Sequence, residues 1–410
     1  MTAAPAPPVT PAEAVRDSVA AARDAGAALR IVGRGTWLDA GHPVRAEETL
    51  SVAPLSGVVD YVPGDLTLTA RAGTPLDEIG RVLAAESQWL PLDPFGSPAG
   101  SLGATVATAS AGPLAHAFGT PRDNVLGLEA VTGTGAVVRA GGRVVKNVAG
   151  FDLVRLFTGS WGTLGVLTEV TVRVRALPEA DETLALAVPD EGPAALAPLL
   201  RELRNAALAP YAMEMVNGAL ASRLAVGGSA AVLVRLAGNP EAVRAQRATL
   251  AEHGDVVPVP DDVWSELRGC EPPDATVIRF GRRPSELARL WADVSAIVAP
   301  ASDALLHATV GRGIVRCILP SRNDAVLDEL FEFWGFQAGS TIGERVPHAF
   351  WPTRLGAVFA AHGTPALVGS DAATAALAAE TKRYELMRRV KDTFDPMHIL
   401  NPGILGAVIA

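Results

Sequence analysis

From residue 10 onward, apolar and polar positions alternate between helical and strand periods. Thr10-Pro11-Ala12-Glu13 has the form of a capping box, a hydroxyl and a carboxylate three residues apart with proline at the first helical position. The helix it opens is predicted to run to about Ala25 and to stop at Gly26, where glycine tolerates a left-handed backbone. Residues 28–32 then read as a strand entering a glycine turn, and residues 66–70 alternate as a second strand. Thr74-Pro75-Leu76-Asp77 is predicted to open another helix by the same capping chemistry, with Asp in the usual place of Glu.

Between residues 124 and 174 the pattern is mainly β. Residues 125–132 are largely apolar, Gly133-Thr134-Gly135 is a turn, and residues 136–139 form the return strand. Residues 166–174 alternate closely enough to predict a strand with one wet face, and Pro178 marks a boundary. Beyond it the text changes. Helical stretches at 240–253 and 284–296 lie among strands such as 230–236 and 314–319, which predicts an antiparallel sheet covered by helices. No period suggests a solenoid. An Ala-rich helix is predicted to run to Phe394. The turn-rich tail through Asp395-Pro396 and Asn401-Pro402-Gly403 must dock on something to be ordered.

Composition narrows this picture. In 410 residues, 49% are hydrophobic and 19% charged, enough apolar material for large cores in two or three domains. The net charge of −9 argues against a nucleic-acid partner. Arg388, Arg389 and Lys391 cluster near the C-terminus and read as a solvated helix face. Cys270 and Cys317 stand outside any CxxC or Cys/His cluster. They argue against iron–sulfur or zinc sites in this chain and read as buried thiols in a reducing cytoplasm. Residues 1–10 lack the features of a signal peptide, and no apolar run reaches the roughly 18 residues of a membrane span. The expected location is therefore cytoplasmic, with peripheral attachment to the inner face of a membrane arising through partners.

Three glycine-rich segments carry the candidate chemistry. Gly33-Arg34-Gly35-Thr36 follows a strand, so its backbone N–H groups can point at a phosphate. A Rossmann fingerprint fails here, because Leu38 replaces the third glycine and residues 39–43 do not begin a helix. Residues 94–105, leading to Ala111-Gly112-Pro113 and Gly119-Thr120-Pro121-Arg122-Asp123, allow backbone to approach a flat ligand, although a tightly packed structural loop is the alternative. The third segment, residues 159–166, precedes a strand.

Residues 122–129, residues 141–152 with Lys146-Asn147-Val148-Ala149-Gly150-Phe151-Asp152, and residues 162–169 resemble the FAD-binding domain of the vanillyl-alcohol oxidase type of flavoprotein. The Lys-Asn-Val-Ala-Gly-aromatic-Asp version is similar to the FAD-binding E subunits of glycolate oxidases, and residues 394–403 are similar to that family's closing segment. The resemblance covers residues 31–174 and 391–403 and is faint between them. It implies an α+β fold with a two-lobed FAD-binding domain over residues 1–178, an α/β cap domain with an antiparallel sheet over 179–385, and a segment over 386–410 that returns to the FAD domain. It also implies that Gly33, Arg34, Gly35, Thr36 and Trp37 hold the pyrophosphate. Pro94, Ser101, Leu102, Gly103, Gly112, Thr120 and Asp123 would line the nucleotide, and Gly162 and Val166 would sit by the adenosine or ribityl portion.

Departures from the family pattern matter. Some relatives attach FAD through a histidine at the pyrophosphate turn; here Trp37 follows Gly35-Thr36 and the nearest histidine is His42, so FAD is expected to be non-covalent. Competent 2-hydroxy-acid members hold a divalent metal on a His, His and Glu cluster in the cap. His307 matches its first part, but Arg316 and Arg345 occupy expected ligand positions, and arginine does not ligate metals. No metal is expected, and His307 reads as a satisfied strand histidine. Three functions remain open. The first is a flavin subunit of a complex oxidising glycolate or D-lactate to the 2-oxo acid, beside a paralogous flavin subunit and an iron–sulfur subunit. The second is a stand-alone 2-hydroxy-acid dehydrogenase with Arg312 or Arg316 pairing the substrate carboxylate. The third is a structural chain with a lapsed flavin site.

Overall fold

The computed structural model describes residues 10–142, 151–188, 191–260, 262–336, 340–346 and 385–406. The Lys146–Gly150 part of the quoted motif, residues 1–9 and most of the predicted helix before Glu385 lie outside them. The fold is α+β, with helices packed on two antiparallel sheets.

The first helix spans Pro11–Ala25 as predicted. Thr10 and Glu13 cap each other, and Gly26 closes the helix at φ 66°. Its stripe of Ala12, Val15, Val19 and Ala22 is buried against Val131, Val166, Ile399 and Leu400. A fully buried valine contributes about 1.5–3 kcal/mol relative to an exposed one, so this seam fixes the helix on the sheet.

That sheet has five strands in the order Val58–Val62, Thr67–Arg71, Gly165–Arg173, Val125–Thr132, Val137–Gly141, each antiparallel to its neighbours. The predicted wet face of the central strand is corrected here. Of its nine residues only Glu169 and Arg173 are even half-exposed. The N-terminal helix covers Val166, while Leu167, Val170 and Val172 belong to the core beneath the helices Leu76–Ala84 and Leu102–Thr108. Its threonines are polar but satisfied: Thr168 donates to Glu129 Oε1 at 2.7 Å, and Thr171 pairs with Thr69 at 2.8 Å. The helix Leu76–Ala84 also forms without the predicted cap. Pro75 stands at the N-cap, and the Thr74 hydroxyl instead bridges the N–H and carbonyl of Gly57.

A second sheet of eight strands begins at Ala180. Its order is Val256–Pro258, Ala180–Ala187, Ala231–Gly238, Ala212–Val216, Leu305–Thr309, Ile314–Leu319, Thr276–Gly281, Ser340–Arg345, antiparallel throughout. Because side chains alternate along a strand, the two faces differ. One face, with Met213, Met215, Val232, Val234, Leu306, Ala308, Val315 and Cys317, packs under the helices Pro193–Asn205, Pro240–Ala251 and Leu287–Val298. The other face mixes apolar Leu233, Leu305 and Ile318 with the intervening polar residues of the same strands, and Phe95 from the first unit packs into it. Both cysteines are free and buried; burial pushes the thiols up to about 11 at Cys270 and about 12 at Cys317, leaving them inert.

The tail docks on the first strand. Leu29 N–H donates to Ile399 O at 2.7 Å, Asn401 N–H to Leu29 O at 2.9 Å, and Ile31 N–H to Asn401 Oδ1 at 2.7 Å. Lys391 departs from the solvated face expected of it. It is 1% exposed and donates to Thr163 O at 2.8 Å, Leu400 O at 3.0 Å and Asp395 Oδ2 at 2.5 Å. Burial holds its ammonium below the ordinary value against the pull of Asp395. Arg388 and Arg389 are exposed. Among the described residues, no helix is long and apolar enough to cross a membrane.

Candidate functional site

The strand Leu29–Val32 delivers the chain into a turn that leaves its backbone donors unused. No N–H from Arg34 to Asp39 reaches a protein acceptor among the described residues. Gly35 sits at φ 76°, in the left-handed region that glycine enters without a Cβ penalty. Gly33 lies so close to the next element that a Cβ there would stand 2.6 Å from Ser101 Oγ. The turn forms one wall of a cleft with about 750 Å³ of open space, and the others come from Gly103, Ala107 and Thr108 of the helix Leu102–Thr108, from Trp161, Gly162 and Val166, and from Asn401. Among the described residues, Arg34 is the one charged group lining it. The buried Nε1 of Trp37 has no partner among them. Free amides, a positive-φ glycine and a lining in which the described residues place no carboxylate fit the pyrophosphate of a dinucleotide.

Eight of the predicted nucleotide contacts line this cleft: Gly33, Arg34, Gly35, Thr36, Trp37, Gly103, Gly162 and Val166. The remaining six do not line it and are placed in other capacities. Ser101 is fully buried as the N-cap of the helix Leu102–Thr108, accepting from Ala104 N–H at 3.4 Å. Leu102 is buried in the core of the five-stranded sheet. Gly112 presses on the Asp93 carbonyl, where a Cβ would stand 2.1 Å away. Thr120 and Asp123 cap each other, with Thr120 N–H donating to Asp123 Oδ2 at 2.8 Å. Pro94 leads Phe95 onto the second sheet. His42 is half-buried off the cleft, against Gly406, and burial lowers its pKa to about 4.

The second sheet presents a charged array to the first unit. His307 stands opposite Arg316 in the ladder. His307 Nδ1 meets Glu214 Oε2 at 2.9 Å, both side chains at most 2% exposed, while His307 Nε2 and Glu214 Oε1 are buried without partners among the described residues. The expected satisfied histidine is thus satisfied on one nitrogen. Arg316 is 1% exposed and locked: Nη1 meets Glu271 Oε1 at 2.5 Å, Nε meets Glu344 Oε2 at 2.6 Å, and the guanidinium lies 3.6 Å over the Phe95 ring. Burial opposes its charge, yet Glu344 and Glu271 hold its pKa above the ordinary value. Arg279 also pairs with Glu344, at 2.8 Å. Arg345 reaches across to Asp39 at 3.1 Å, beside the pyrophosphate-type turn. To hold a substrate carboxylate, Arg316 would have to leave two buried carboxylates, which is costly. Arg312 is the freer candidate: it donates to Ala115 O at 3.0 Å, and burial holds its guanidinium below the ordinary value.

Sequence reasoning missed Glu214, Glu271 and Asp93, and it set the buried Lys391 on a solvated face. For Glu214 a signal existed: a carboxylate inside the apolar run Ala212–Val216 is a buried charge needing a partner.

Residues 8–141 match the family described as FAD binding domain, and residues 356–405 match the C-terminal domain of FAD linked oxidases. Glycolate oxidase subunit GlcE of Escherichia coli (strain K12) is 30% identical over 158 residues, 38% of this chain and 45% of that relative, so the match spans less than half of GlcE. Two crystal forms of alkyldihydroxyacetonephosphate synthase share the fold, with TM-scores of 0.63 and 0.64 at 18% and 17% identity, covering 95% and 96% of this chain and 75% and 76% of those chains. With the cleft and its free amides in place, these matches support an FAD-linked oxidase chain similar to GlcE, with FAD as its cofactor.

Proposed function

We propose that the chain is the FAD-binding subunit of a glycolate oxidase-type complex that converts glycolate or D-lactate to the 2-oxo acid and passes the electrons onward. Its partners in this reading are a paralogous flavin subunit and an iron–sulfur subunit, and attachment to the inner face of a membrane would come through them. Residues 1–178 with 386–410 would form the flavin unit and residues 179–385 its cap. The observation that carries the reading is the cleft of unused amides from Arg34 to Asp39 on a chain similar to GlcE. FAD, when bound, accepts the two electrons released as the 2-hydroxy acid becomes a 2-oxo acid. The turn residues Gly33, Gly35 and Thr36 would bind the pyrophosphate, Trp37 and Trp161 would shield it from water, and Asn401 would tie the tail to the site.

The same geometry supports non-covalent attachment, because no histidine among the described residues lines the cleft. Purified chain should be yellow and release FAD into the supernatant on acid precipitation. Flavin retained in the pellet overturns non-covalent binding; colourless, folded protein that takes up no added FAD overturns the flavin reading itself.

A further inference from the structure

A second cavity, with about 530 Å³ of open space, lies between the first unit's Trp89, Asp93 and Leu114 and the second sheet's side, Arg235, Trp264 and Arg268. It shares no lining residue with the nucleotide cleft. Its charged groups are unequally satisfied. Arg235 is held by Asp181 through Nε to Oδ1 at 2.9 Å and Nη2 to Oδ2 at 2.5 Å, so its charge is met. Arg268 spends Nε on Trp264 O at 3.1 Å, and its Nη atoms meet no carboxylate among the described residues. Asp93, 7% exposed, accepts from Leu114 N–H at 3.0 Å on Oδ2 and has no donor for Oδ1 among the described residues.

We propose that this cavity binds a small monocarboxylic acid carrying a second polar group, its carboxylate on the Nη atoms of Arg268 and its hydroxyl or carbonyl oxygen toward Asp93. One unspent guanidinium fork matches one carboxylate. The indoles of Trp89 and Trp264 and the side chain of Leu114 take a short carbon skeleton. A second negative charge on the ligand would face Asp93 and the nearby Glu214, which selects against phosphate and dicarboxylates. As a carboxylate Asp93 accepts from a ligand hydroxyl, and as a neutral carboxyl it donates to a ligand hydroxyl or carbonyl oxygen. Burial pushes its carboxyl up to about 7, with Arg268 and Arg235 pulling the other way, so near neutrality it both donates and accepts. The site goes beyond the reading above and borrows from it only the choice of test acids.

The test uses the full FAD-loaded chain, with glycolate, D-lactate and inorganic phosphate as probes. Binding is read by calorimetry and by the emission of Trp89 and Trp264, which line the cavity. The expected result is saturable binding of glycolate or D-lactate but not phosphate, weakened roughly 10–100-fold in Arg268→Gln with flavin content and circular dichroism unchanged. Arg268→Lys keeps the charge, loses the fork and should give an intermediate loss; it carries the test if the glutamine variant does not fold. Absence of saturable binding by either acid, binding unchanged in both variants, or phosphate binding as tightly as the acids overturns the proposal. The outcomes separate the two readings. Acid binding through Arg268 without any flavin reduction in a reconstituted complex keeps this site and rejects the redox role. Flavin reduction by glycolate with no acid binding dependent on Arg268 does the reverse.

Discussion

Gly35 shows how much of the proposed cofactor site rests on backbone conformation. At φ 76° a β-branched residue meets its own backbone, a strain of about 1–2 kcal/mol or more, while the nearest atom to a Cβ is Leu38 Cδ1 at 3.7 Å. The space is open, so the cost of Gly35→Val falls on the turn's shape and therefore on where its amides point. Flavin occupancy after purification should fall on the order of tenfold, one such cost expressed as a binding constant, with the melting transition of the apo chain little changed. Full flavin in a folded Gly35→Val chain would make Gly35 a structural glycine only. Such positions were legible, because glycines and small residues clustered after a strand mark a turn whose backbone stays bare enough to meet a ligand. The charged residues were less so. Arg316 was readable as an arginine in a place where a ligand is expected, but its locking by Glu271 and Glu344 depends on residues 45 and 28 positions away in the chain, and no local pattern encodes that.

At the scale of elements, local chemistry and tertiary context divided the readings. The helix Pro11–Ala25 came out at its predicted ends because the capping box and Gly26 act within a few residues. The strand Gly165–Arg173 alternates in sequence yet is covered on both sides, since its threonines are satisfied by Glu129 and Thr69 on neighbouring strands. The closing segment shows the same effect more sharply. Asp395 lies four residues after Lys391, a spacing equally suited to an exposed helix pair, but Asp395 is 0% exposed and also accepts from Ile399 and Leu400 N–H. Removing the lysine would leave a buried carboxylate uncompensated. Lys391→Ala should therefore lose about 3–5 kcal/mol of stability, measured by denaturant unfolding, and should also lower flavin content because Asn401 lines the cleft. Adding Asp395→Asn should recover part of the loss. A Lys391→Ala chain as stable as its parent would show that the tail is held by its backbone bonds alone.

Across the whole molecule, the second sheet turns a polar face toward Asp39, Phe95 and Ala115 of the first unit, and that arrangement bears on how the redox work is shared. On that face Glu214 pairs with His307, Arg316 with Glu271 and Glu344, and Arg279 with Glu344, while Arg345 ties it to Asp39 beside the pyrophosphate-type turn. A small 2-hydroxy acid must have both its carboxylate and its hydroxyl fixed, because orientation supplies much of the rate. Arg316 offers neither a metal-ligating atom nor an unpaired fork for this, whereas Arg312 has fewer commitments. The isolated chain, fully loaded with FAD, should therefore reduce an artificial dye with glycolate slowly or not at all. Mixed with the paralogous flavin subunit and the iron–sulfur subunit, it should become necessary for electron flow from glycolate to the acceptor, and omitting it should abolish that flow. Fast, metal-independent glycolate turnover by the chain alone would reject the division of labour. If that turnover were lost in Arg312→Ala with flavin content intact, it would establish a stand-alone dehydrogenase that holds its substrate through Arg312.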